Sequence, residues 1–215
     1  MPTNSGYLHP EPLSHTTHLR YAYWRTEENC QGTVVLQAGR TEFFEKYTET
    51  IERLTARGFD VWSLDWRGQG LSSRLLDHPQ AGYIDSYETY LSDFHYFVQT
   101  KLLCQPRGPL VLLAHSMGGH LALRYLSEHQ GLFAACVLSA PMVDIITTPF
   151  PRPILWGVVL LGTLFGKGPT YAPTQHDFDD RDRNFGTNRL TTDPVRFQKS
   201  LDCIDKNPSL AVGGV

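Results

Sequence analysis

Charged side chains are scarce in this sequence, at 19% of 215 residues, and the two signs nearly cancel, with 19 Lys and Arg against 22 Asp and Glu. A net charge of −3 leaves no basic footprint for nucleic acid. Cysteine is sparse as well. Cys30, Cys104, Cys136 and Cys203 lie far apart with no C-x-x-C pair, which excludes a disulfide framework or a zinc site and leaves no metal or cofactor to expect. That spacing fits buried thiols in a reducing compartment, the cytoplasm. The first 20 residues have neither a basic start nor an apolar core, so no signal peptide is expected. Long apolar runs are missing too. The most membrane-like stretch, Ile154 to Phe165, reaches about 18 Å as a helix, short of the ~30 Å hydrocarbon core. No repeat or low-complexity tract appears. With 41% apolar residues, disorder is excluded. Length alone suggests about 1.4 domains, read as one large domain or one with an insertion.

What is present is an alternation. Leu19 to Trp24 reads as an outer strand. Thr33–Ala38, Phe59–Asp65, Pro109–Ala114 and Ala134–Ala140 are short apolar runs of the kind buried on both faces. Between them, Thr41–Arg57, Tyr87–Leu103 and Met117–His129 have helical spacing. The expected fold is therefore α/β, a mostly parallel sheet with helices on both faces. The rhythm stops at Pro141. Residues 1–141 are read as the N-terminal part of the core and 142–215 as an inserted cap or lid with one apolar helix. Within it HDFDDRDRNFGTNRL reads as solvated surface. It is not a calcium loop, because Arg181 and Asp182 fall where a ligand and a glycine are needed.

The chemistry sits in Ala114-His115-Ser116-Met117-Gly118-Gly119, where a serine lies between a buried strand and a helix. This is the G-x-S-x-G nucleophile elbow with alanine for the first glycine. A sharp strand-to-helix turn projects the Ser116 hydroxyl above the sheet, and larger side chains two positions away would strike the backbone. The helix behind it directs its N–H groups and dipole at the site, favouring developing negative charge. The Met117 amide is one expected oxyanion donor. The other is the backbone N–H of Arg40, in the Gln37-Ala38-Gly39-Arg40 loop. The bland alternative for Ser116 is a helix N-cap.

The elbow, the Gly39-Arg40 loop and Asp65-Trp66-Arg67-Gly68-Gln69-Gly70-Leu71-Ser72 together resemble the α/β-hydrolase superfamily. Within it the chain is most similar to the bacterial lysophospholipase and monoacylglycerol lipase group. Ser72–Leu76, Ser139-Ala140-Pro141-Met142 and the run Asn188–Phe197 sharpen the likeness. The resemblance implies hydrolysis of carboxylic esters of single-acyl lipids through an acyl-enzyme on Ser116. Rival readings are a peptidase of the proline-iminopeptidase type, whose amine pocket could use Asp177, Asp179 or Asp180, and a non-catalytic binding module. Dehalogenase and epoxide hydrolase chemistry need Asp where Ser116 stands.

Asp65 and Arg67 are read as ties of the turn, with Gly68 and Gly70 supplying backbone freedom. The run is no P-loop, since no G-K-[ST] follows. None of four histidines is read as the serine's base: His115 should point away from its pocket, His120 packs one turn on, His129 closes the helix where a cation suits the dipole, and His176 lies in the polar part of the cap. Asp144 could be the acid, or could cap a helix. In the superfamily the order is Ser, acid, then His after the last strand, and no βα unit follows the cap. Ala134–Ala140 lacks the charge or proline that guards natural edges. The expectation is a C-terminally truncated, nearly inactive copy, its triad acid and base beyond Val215. Trp156, Phe165 and Phe150 suit a lipid-facing lid, giving a peripheral contact at the inner membrane.

Overall fold

The computed structural model describes residues 1–10, 17–27, 29–105, 107–144, 151–166, 168–172, 175–188 and 190–214. Six strands form one sheet: β1 (Asn4–Leu8), β2 (Leu19–Trp24), β3 (Gly32–Gln37), β4 (Phe59–Leu64), β5 (Leu110–His115) and β6 (Ala135–Ser139). Their order across the sheet is β1-β2-β4-β3-β5-β6. β4, β3, β5 and β6 run parallel, while β2 and β1 are antiparallel additions at one edge. The helices are α1 (Thr48–Thr55), α2 (Tyr87–Phe97), α3 (Met117–Glu128), α4 (Arg152–Leu164) and α5 (Pro194–Lys206).

Period-two alternation in buried strands decides which helix packs where. Val34, Leu36 and Val61 pack with Ile51 of α1 on one face. Val35, Trp62, Leu64 and Leu112 pack with Leu91, Phe94, Phe97, Leu121 and Tyr125 of α2 and α3 on the other. The sheet is thus covered by helices on both faces, and its parallel strands end together at the serine-bearing turn.

Several expectations are corrected. Leu19–Trp24 is not the outer strand, because β1 pairs outside it from Asn4↔Tyr23 to Leu8↔Leu19. NSGYL carries too few apolar residues to announce a strand, and only pairing reveals it. Helix does not begin at Thr41, whose φ is +58°; a 3₁₀ turn at Phe44–Tyr47 precedes α1. α2 stops at Phe97 and continues as a π turn over Val98–Leu102. A second helix, α5, follows β6. Pro194 opens it and the Asp193 side chain accepts from the amides of Val195 and Arg196, an N-terminal signature. The cysteines are unpaired but none is buried, and Cys104 is exposed.

α4 departs furthest from expectation. Although it is the most apolar of the helices, none of its residues is buried. Trp156 is 73% exposed and Phe165, just after it, 77%. Ile154, Trp156, Val158, Val159, Leu160 and Leu161 point to every side of the helix, so one contact stripe cannot cover them. Phe150 lies outside the described residues. β6 forms the sheet's edge with its residues half-buried or exposed, and among the described residues nothing pairs beyond it. No described helix is long and apolar enough to cross a membrane.

Candidate active site

Ser116 sits between the end of β5 and the first turn of α3 with φ +51° and ψ −119°, a conformation a non-glycine residue holds only when its surroundings impose it. Three backbone hydrogen bonds impose it. The Ser116 amide donates to Ser139 O at 3.1 Å, and its carbonyl accepts from Met142 N at 2.9 Å and His120 N at 3.2 Å. It is half-buried, and although it stands at the N-cap position of α3, its side chain accepts from no helix amide.

Small residues make the turn possible. A Cβ on Gly118 would stand 2.5 Å from Ala38 O and 2.7 Å from Gln37 O, and one on Gly119 would stand 2.8 Å from Pro141 Cβ. α3 therefore approaches the end of β3 closely enough to bring its first amide beside the loop that follows. Met117, first in α3, has an N–H with no intrahelical acceptor.

The loop Ala38–Glu42 is held from three directions. Trp66 Nε1 donates to Ala38 O at 2.8 Å. Gly39 N donates to Glu42 Oε2 at 2.7 Å, and Tyr47 OH donates to the same oxygen at 2.5 Å. Thr41 N donates to Gln69 Oε1. Of the three consecutive amides at 39, 40 and 41, two are therefore spent on side-chain acceptors. Arg40 N–H has no acceptor among the described residues. Burial, then the adjacent Glu42 carboxylate, raises the Tyr47 phenol pKa, so it stays a donor. Glu42, Tyr47 and Gln69 escaped the sequence reading, because side-chain-to-amide clamps leave no periodic signal. The only pointer was a glutamine set between two glycines.

Asp65 ties the turn as expected, accepting from Phe44 N, Leu71 N and Arg20 Nε. Burial raises its pKa to about 6, with Arg20 opposing. Arg67 forms a bidentate pair with buried Asp93. Gly70 is obligatory, as a Cβ would overlap the Asp65 carboxylate.

The histidines stand apart from the serine. His115 Nδ1 lies 3.0 Å from Ser139 O, His120 meets the Tyr87 ring edge-on, His129 stacks on Tyr125 at 4.2 Å, and His176 Nδ1 lies 2.6 Å from Asp177 O. Among the described residues the only histidine bond to Ser116 is the backbone amide of His120, and no histidine ring nitrogen hydrogen-bonds the serine. Asp144 does not cap α4, whose N-cap is Pro151; it pairs with Arg152. His176, Asp179 and Asp182 are half-buried and could approach one cation, but Arg181 already holds both Asp179 oxygens. A cavity of 1180 Å³ lies on the α1 side of the sheet, lined by Tyr47, Leu113, His115, Phe197 and Leu201 and not by Ser116.

The family model described as serine aminopeptidase, S33 matches residues 28–210. Lysophospholipase L2 of Escherichia coli K12 is 31% identical over 205 residues, covering 91% of this chain and 57% of that protein. Monoacylglycerol lipase of Mycolicibacterium smegmatis is 32% identical over 124 residues, covering 58% of this chain and 42% of that protein. Among solved structures, a soluble variant of Saccharomyces cerevisiae monoglyceride lipase superposes with a TM-score of 0.68 at 20% identity, covering 97% of this chain and 63% of that one. The chain thus spans about half the length of these curated relatives, 57% of the first and 42% of the second.

Proposed function

The chain belongs to the α/β-hydrolase family whose model covers it, and on that premise we propose that it carries the nucleophile of a serine hydrolase cleaving carboxylic esters of single-acyl lipids, lysophospholipids or monoacylglycerols. Ser116 Oγ attacks the ester carbonyl, the carbonyl oxygen becomes an oxyanion, and the alcohol departs to leave an acyl-enzyme that water hydrolyses. The amides of Met117 and Arg40 receive the oxyanion. Each such donor is worth ~3 kcal/mol of transition-state stabilisation. The observation that carries this reading is the unspent Arg40 amide beside a strained Ser116. The general base and acid come from residues outside 1–215, in keeping with the share of the relatives' length that the chain spans, and the 215-residue piece alone turns esters over poorly.

Residues 142–215 act as the cap over the site, with α4 as its lipid-facing element. That helix makes peripheral contact with a membrane, bringing Trp156 and Phe165 to the interface. An aminopeptidase is the second reading, favoured by the family description. It needs a carboxylate to bind the substrate amine, yet Asp177 is engaged by Tyr171 and His78 and Asp179 by Arg181.

Fluorophosphonate labelling tests the nucleophile. The full-length gene product is expected to label at Ser116 and to lose the label in Ser116→Ala, while the 215-residue piece labels slowly. Rapid labelling of the piece would place a base within these residues. Turnover of aminoacyl amides in preference to lysophospholipid and monoacylglycerol would favour the peptidase, and no turnover of any of them the binding module.

A further inference from the structure

Arg40 offers more than its amide. Its guanidinium is exposed and has no carboxylate partner among the described residues, in contrast to Arg20, Arg25 and Arg67. The one hydrogen bond it makes runs from Nη1 to Gly214 O, a neutral acceptor that Gln175 Nε2 also reaches at 3.0 Å. That carbonyl belongs to a fixed segment, since Gly214 N donates to His176 O and Gly213 N to Gln80 O. The fork is therefore oriented by one of its donors, while Nε and Nη2 remain unspent among the described residues. Glycine at 214, with φ +81°, keeps the fork clear, because a Cβ there would stand 3.1 Å from Nη2.

An oriented, unpaired guanidinium with two free donors suits a phosphate, which it can grip bidentately. Its place beside the nucleophile defines which phosphate. Gly39 touches Ser116, a Cβ on Gly39 lying 3.0 Å from Ser116 Cβ, and Arg40 follows directly. In a lysophospholipid a glycerol backbone about as long as an arginine side chain separates the ester from the phosphodiester. One residue can thus hold the oxyanion through its amide and the head group through its guanidinium. We propose that the Arg40 side chain binds the head-group phosphate and makes the site selective for lysophospholipid over neutral monoacylglycerol. The assignment rests on Ser116 being the nucleophile of a lipid esterase.

Equilibrium binding to the full-length gene product carrying Ser116→Ala tests it without turnover. The probes are a short-chain lysophosphatidylcholine and the monoacylglycerol with the same acyl chain, both below their micellar concentrations. The expected result is a preference of about tenfold or more for the phosphate ester, weakening as salt rises. Arg40→Gln should remove most of that preference and Arg40→Lys should restore part of it, which also shows that position 40 tolerates replacement. Equal affinity for the two lipids, or a preference that survives Arg40→Gln, overturns the proposal. Inorganic phosphate at matched ionic strength should displace the lysolipid only weakly. Displacement as strong as that by the lysolipid itself would assign the site to a free anion instead. Failure of Ser116 labelling in the parent protein would end the hydrolase reading and leave the binding ratio measurable, whereas normal labelling with an unchanged ratio would end this proposal alone.

Discussion

Gly39 lies directly against Ser116: a Cβ added to the glycine would stand 3.0 Å from the serine Cβ and 2.8 Å from Glu42 Oε2. The loop after β3 and the turn after β5, 77 positions apart, form a single surface there (116 − 39 = 77). The catalytic proposal needs that surface rigid, because oxyanion donors act only if already aimed.

Strain at Ser116 is open to measurement. Ser116→Gly and Ser116→Ala should both abolish labelling and ester hydrolysis. The glycine variant should unfold at higher temperature than the alanine variant, by about 1 kcal/mol, because glycine adopts a positive φ without the Cβ penalty. Equal midpoints in thermal unfolding would show that position 116 is relaxed.

The clamp on the oxyanion loop predicts a rate effect. Glu42→Ala frees Gly39 N–H and Tyr47 OH, so kcat of the full-length gene product should fall about tenfold or more with KM little changed. Glu42→Gln keeps an acceptor and should recover most of the loss. A purely structural role for Glu42 would lower the melting temperature without separating kcat from KM.

Gly118→Ala places a methyl group against two backbone carbonyls. Neither can move without shifting β3, so stability should fall by about 1–3 kcal/mol. Circular dichroism melting compares it with Gly162→Ala in the exposed α4, where a Cβ meets nothing within 4 Å and which should be neutral or stabilising.

The exposed aromatic residues of α4 predict vesicle binding. Co-sedimentation with lipid vesicles should fall on the order of tenfold in the Trp156→Ala, Phe165→Ala double variant, since each ring buries a large apolar area at an interface. Unchanged sedimentation would remove the membrane contact.

Alkaline stability should reflect two buried phenols. Burial pushes Tyr90 and Tyr125 each up to about 12 from 10.0. A raised folded-state value means the stabilisation is fully present below the unfolded pKa, near pH 10, and is lost as pH rises through about 12. The thermal midpoint should decline across that window, and Tyr90→Phe should flatten the decline.

Much of the fold was legible because its signals are local. The runs at β3 and β4 are buried on both faces as their composition implies, β5 is buried on one face and half-buried on the other, and α3 has helical spacing that starts directly at the serine. β1 was not legible, because NSGYL becomes a strand only by pairing with β2. α5 carried its signal in Asp193-Pro194, but its polar composition concealed it. At the site, Ser116 and its small neighbours could be read directly, since a tight turn demands particular residue sizes at fixed offsets. Gln69 and the Arg40 fork could not, since each acts on atoms far away in the chain, and neither could Glu42, whose clamp on Gly39 and Tyr47 is local but leaves no periodic signal.

Short-range physics therefore determined the strand–turn–helix unit and the projecting Ser116 from residue order alone: steric limits on φ and ψ, burial periodicity and the need for small side chains operate within a few positions. Which amide beside Ser116 stays unspent, which guanidinium lacks a carboxylate partner and that α4 is uncovered, each among the described residues, were decided by tertiary packing. Hydrogen-bond acceptors and covering surfaces are supplied by segments that meet in space and not in sequence.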